Sequence, residues 1–167
     1  MTILGFAEWL ESTSLAILIR ESSYGFAIVV AIHILGLTLS VGTLLWVDLR
    51  LLGVSMRSLR VSAVYRDLAP WFLAGFTVML VSGVTLFTAF ATSAYVNVYF
   101  RIKIVALLLA GANALAFHVV TQRRSATWDD APRPPATVRI AGLTSIVLWV
   151  SVILAGRMMS YTMFSYP

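Results

Sequence analysis

The chain has 167 residues, of which 60% are apolar and only 11% charged, and its mean hydropathy is +0.92; a composition this apolar belongs to an integral membrane protein. Without cysteine it can form no disulfide, thiolate metal site or covalent c-type haem attachment, so a haem here would be held non-covalently. The net charge of +5 does not point to nucleic acid, because the basic residues flank apolar runs and build no interleaved basic and aromatic surface.

The first 23 residues place Ile3, Leu4, Phe6, Ala7 and Leu10 around Glu8 and Glu11, break at Ser12, Thr13 and Ser14, and resume as Leu-Ala-Ile-Leu-Ile-Arg. This pattern is too polar and too short to cross a bilayer, and predicts one or two amphipathic helices lying in the interface. It has no basic n-region followed by a small-residue cleavage site, so it does not read as a removable signal peptide. A first span is expected over about 24–47, with Trp46, Asp48, Arg50 and Arg57 marking the headgroup zone. A polar connection with Arg60, Arg66 and Asp67 follows, and Pro70 suits the first turn of a second span over about 71–91. After a short turn at Thr92, Ser93 and Ala94, a third span is expected over about 97–121, with Arg101 and Lys103 in its first two turns and His118 near its last. The loop 122–136 carries Arg123, Arg124, Asp129, Asp130 and three prolines, and a fourth span over about 138–161 carries Arg157 near its end.

The fold class is therefore all-α: a single transmembrane domain forming an up-down four-helix bundle, preceded by an N-terminal interfacial amphipathic helix. Lys and Arg divide unevenly between its two sides. Arg50, Arg57, Arg60, Arg66, Arg123, Arg124, Arg133 and Arg139 follow spans one and three, against Arg20, Arg101, Lys103 and Arg157 on the opposite side. The excess predicts a bacterial inner membrane protein with both termini outside.

His33 and His118 are the only imidazoles, and each lies in an apolar run, where an ionisable group is costly and is functional by default. The sharpest reading is that they ligate a haem b iron. Gly36 and Ser40 share the His33 face at i+3 and i+7 and would leave room for a flat macrocycle; the competing explanation is close helix packing, with His33 donating to a carbonyl. His33 is about nine residues and His118 about twenty residues from the outer end of their spans, which separates them by roughly 16 Å in depth. Two haems, one haem on His33 alone, or an interfacial role for His118 all remain compatible with that spacing. Arg101, Lys103 and Arg157 lie in the same half as His33, and the spans offer no carboxylate there, so haem propionates would neutralise them; snorkelling to lipid phosphate is the alternative. Met158 and Met159 could offer a thioether ligand or simply pack.

The stretches Trp-Leu-Glu-Ser-Thr-Ser-Leu-Ala-Ile-Leu-Ile-Arg-Glu-Ser, Ile-His-Ile-Leu-Gly, Trp-Val-Asp-Leu-Arg-Leu-Leu-Gly, Phe-Arg-Ile-Lys before Asn113 and His118, and Ala-Gly-Arg resemble an uncharacterised bacterial family of four-span membrane proteins along nearly the whole chain. The histidine of span one and the Arg/Lys-led third span ending in histidine are more distantly similar to the haem-binding membrane type of protoporphyrinogen oxidase and to copper-resistance D proteins. That resemblance implies His33 as a haem ligand and Lys103 as a site residue.

Three functional classes follow. The first is a b-type haem protein passing electrons, alone, as a homo-oligomer or within a larger membrane redox complex, with haem b as its cofactor and the lipid bilayer as its surroundings. The second is a haem-free accessory or structural subunit of such a complex. The third, by analogy, is a porphyrinogen-oxidising membrane enzyme. No hydrolytic triad, phosphate loop or two-carboxylate pair is present for soluble-type catalysis.

Overall fold

A computed structural model describes the backbone of residues 2–121 and 128–163. Arg123 and Arg124, which enter the charge count above, lie outside the described residues. The N-terminal segment folds as two helices, α1 (Ile3–Glu11) and α2 (Ser14–Glu21). Each is started by a threonine: Thr2 Oγ1 accepts from Gly5 N at 3.1 Å and Thr13 Oγ1 from Ala16 N at 3.4 Å, satisfying amides that the first turn leaves without partners. Four long helices follow: α3 (Gly25–Leu51), α4 (Val61–Ala89), α6 (Val98–Ala116) and α7 (Ala136–Thr162), with a short α5 (Ala91–Val96) between the second and third. Each long helix is apolar enough to cross a membrane, with mean hydropathy from 1.9 to 2.3 over its best window. The protein is a multi-pass membrane protein embedded in lipid as a helical bundle.

Two boundaries differ from the sequence reading. The second span starts at Val61, not at about residue 71, and Pro70 sits inside it. The early start is set by tertiary packing, because Val61 and Val64 are buried against Trp128, Val47, Leu51 and Val138. Proline there removes the bond to the Arg66 carbonyl and crowds that carbonyl with its ring, and the helix continues through it. The segment expected as a turn at residues 92–94 is the helix α5, and α6 begins after it because the Asn97 side chain accepts from Tyr99 N at 2.9 Å and Phe100 N at 3.4 Å.

The bundle is two antiparallel hairpins, α3 with α4 and α6 with α7, joined where α3 also meets α7. In the first hairpin the backbones touch. A Cβ on Gly75 would lie 2.6 Å from Ser40 N, and one on Gly36 would lie 2.8 Å from Met79 N. Small residues are what permit this approach, and dispersion gained by close packing holds helices together in lipid. Gly36 therefore leaves no room for a macrocycle, since α4 fills the space beside it. Between the hairpins, Met79, Ala106, Ala110, Trp149 and Val152 form a core to which α3 adds Leu37, Val41 and Leu44.

The bundle has a loop end, where α3 runs into α4 and α7 begins, and a terminal end, where α1 and α2 dock. At the terminal end the Glu11 carboxylate accepts from Thr92 N and Oγ1 at 2.8 and 2.7 Å, and Arg20 donates to the carbonyls of Ala89 and Glu11 at 3.2 and 2.8 Å. Phe6, Trp9, Leu15 and Leu18 stay exposed, which is the outward apolar face of an interfacial helix pair. At the loop end, Asp48 and Arg50 are 3% and 0% exposed, turned into the protein. Asp48 accepts from the Ser145 hydroxyl of α7. Arg50 donates from Nε to Leu59 O at 2.8 Å and from Nη2 to Ala131 O at 3.1 Å.

Candidate functional site

A polar layer crosses the bundle near its terminal end. His33 lies eight residues beyond the start of α3, Ser82 seven before the end of α4, Lys103 five beyond the start of α6 and Gly156 six before the end of α7. Antiparallel pairing thus brings the four to one depth within roughly 5 Å at about 1.5 Å per residue. The apolar core around Trp149 lies below them.

His33 is half-buried, with Nδ1 3.0 Å from Ser82 Oγ. The serine hydroxyl donates to Val78 O at 2.6 Å, with Met79 O at 3.2 Å, so its single hydrogen is committed to its own helix. The hydroxyl oxygen can then only accept from the ring, and the Met79 carbonyl beside the ring is also an acceptor. A ring that donates from Nδ1 to Ser82 Oγ keeps its lone pair on Nε2. Gly83 allows the arrangement, since a Cβ there would sit 3.1 Å from His33 Cε1.

Lys103 faces the same interior. Its ammonium is close enough to act electrostatically on His33, and a Cβ on Gly156 would lie 3.6 Å from its Nζ. Lys103 makes no ion pair among the described residues. A cation half withdrawn from solvent beside an imidazole and Gly156 calls for an anion or a lone-pair partner.

The other predicted site residues go elsewhere. Arg101, two positions from Lys103 and so on nearly the opposite face of α6, is exposed; its guanidinium lies 5.8 Å from the Tyr95 ring centroid and Nη2 donates to Tyr95 O at 3.2 Å. Arg157 is exposed over the Tyr161 ring at 5.0 Å. The three cations therefore do not converge, and only Lys103 joins His33. His118 is exposed within a π-helical turn, Phe117–Thr121, twenty residues beyond the start of α6. At about 1.5 Å per residue it is roughly 18 Å from the His33 level. Met158 faces outward.

Ser82 and Gly83 carry no signal in the sequence, and Gly156 enters it only as the glycine of the Ala-Gly-Arg stretch. Serine and glycine are common in membrane helices as packing residues, and nothing local distinguishes these three; the helix ends, once known, place them level with His33. Among the described residues no three His, Cys, Asp or Glu side chains cluster as a metal site.

Comparison with curated proteins and with solved structures finds no match. A family model covers residues 6–162, nearly the whole chain, and the protein belongs to that family, a family of unknown function (DUF6644).

Proposed function

We propose that the protein is a b-type haem protein of the bacterial inner membrane that passes electrons, with His33 as the residue that would hold the haem iron. The observation that carries this reading is the hydrogen-bonded orientation of His33: ligating histidines typically donate their other ring N–H to a fixed acceptor, which sets the tautomer and ring angle. Ser82 and the Met79 carbonyl play that part, and Nε2 is left to bind iron. Haem, when bound, supplies the one-electron chemistry. Lys103, on the same level, would supply positive charge for a propionate or other acidic group. The depth of His118 argues against a shared iron. Charge asymmetry supports both termini outside, and an impermeant reagent that labels a single cysteine at position 57 in intact cells would reverse that orientation.

The test is a reduced-minus-oxidised visible spectrum and pyridine haemochrome assay of the purified full-length protein and its variants. Haem is expected in the wild type, lost in His33→Ala and retained in His118→Ala. A folded wild-type protein without haem would overturn the reading in favour of the haem-free accessory subunit, and loss in His118→Ala alone would move the ligand to the other imidazole.

A further inference from the structure

The lipid-facing side of α6 and α7 carries a groove of about 380 Å³. Ile102, Val105 and Leu109 form one wall, Leu148 and Ser151 the other, and Ala106, almost fully buried, is the floor. The groove exists because alanine stands where a larger residue would fill the seam between two packed helices. From Arg101 to Leu109 it descends eight residues, roughly 12 Å at about 1.5 Å per residue, most of one leaflet's half of the hydrocarbon core of about 30 Å. Arg101 stands at its mouth. Its guanidinium is held by the Tyr95 ring and carbonyl, and no carboxylate pairs with it among the described residues. A shallow, open apolar groove along the helix seam, with a pre-positioned cation at its mouth that has donors to spare, matches an acyl chain carrying an anionic headgroup.

We infer that this groove is a binding site for an anionic glycerophospholipid, one acyl chain lying between α6 and α7 and the phosphate on Arg101. Zwitterionic lipid lacks the net charge to select Arg101, and a neutral isoprenoid quinone offers it no phosphate. The site does not depend on haem, because Arg101 and Lys103 occupy different faces of α6.

The experiment is photolabelling of the purified full-length protein in vesicles of phosphatidylcholine doped with a phosphatidylglycerol whose acyl chain bears a diazirine, with the labelled residues mapped by mass spectrometry. Labelling is expected to concentrate on residues 102–109 and 148–151 and to fall about fivefold in Arg101→Gln, the effect of one basic residue on anionic lipid, while Arg101→Lys retains most of it. A phosphatidylcholine probe should label diffusely. The proposal is overturned if both probes label these residues equally, if Arg101→Gln labels like the wild type, or if a quinone displaces the label and unlabelled phosphatidylglycerol does not.

Discussion

The two ends of the bundle deal differently with the same problem, polar groups withdrawn from water. At the loop end, the buried guanidinium of Arg50 reaches backbone carbonyls of both connecting loops through Nε and Nη2, with Nη1 left unpaired among the described residues, and Asp48 reaches Ser145 across the α3–α7 seam. Asp129, from the loop before α7, accepts from Ser62 N and Oγ at 2.8 and 2.6 Å and so caps α4. At the terminal end, His33 pairs with Ser82 through Nδ1 and Lys103 has no ion pair among the described residues. Groups whose hydrogen bonds reach across loops and helices hold those elements in place. Lys103 makes no such reach by ion pairing, and its position serves no clamp of that kind.

That contrast can be broken by stability measurements, taken as thermal unfolding in detergent. The largest loss is expected for Arg50→Met, which removes two charge-assisted hydrogen bonds from a buried site and should cost roughly 3 kcal/mol; a midpoint within error of wild type would mean the loop clamp contributes nothing. Asp129→Ala removes the cap on α4 and should cost about 1 kcal/mol, with faster amide exchange at Ser62 as its local signature. The smallest effect is expected for Lys103→Met, within about 0.5 kcal/mol of wild type or stabilising, because a buried charge without a partner is replaced by a side chain that suits its surroundings. A large destabilisation in that variant would place Lys103 with Arg50 among the structural groups and erase the difference between the two ends.

Much of the architecture was legible because hydropathy is additive along a chain. The four spans and the N-terminal helix pair follow from runs of apolar residues, and Asn97 and Thr13 mark helix starts by their own chemistry. Val61–Ala69 was not legible as helix, since its polar residues resemble a loop until Trp128, distant in sequence, comes to cover Val61 and Val64. The site was half legible. His33 and Lys103 stand out as costly residues in apolar surroundings, and equal depth can be counted from the helix ends. The separation of Arg101 from Lys103 was available from helical periodicity, whereas the partnership of His33 with Ser82 depends on how α3 is rotated against α4. Gly36 shows the limit most plainly. A small residue beside a histidine means either space for a ligand or contact with another helix, and here the Met79 backbone occupies the space.

The hydrogen bond from Arg50 to Ala131 spans 81 residues, while most helix packing joins spans that follow one another along the chain. A ribosome therefore delivers α3 and α4 before the Ala131 carbonyl exists, at a stage when the Leu59 carbonyl is the partner of this pair already made. The bond to Ala131 is one that only a chain extended as far as the loop before α7 can form, so it ties the first hairpin to the arrival of the second.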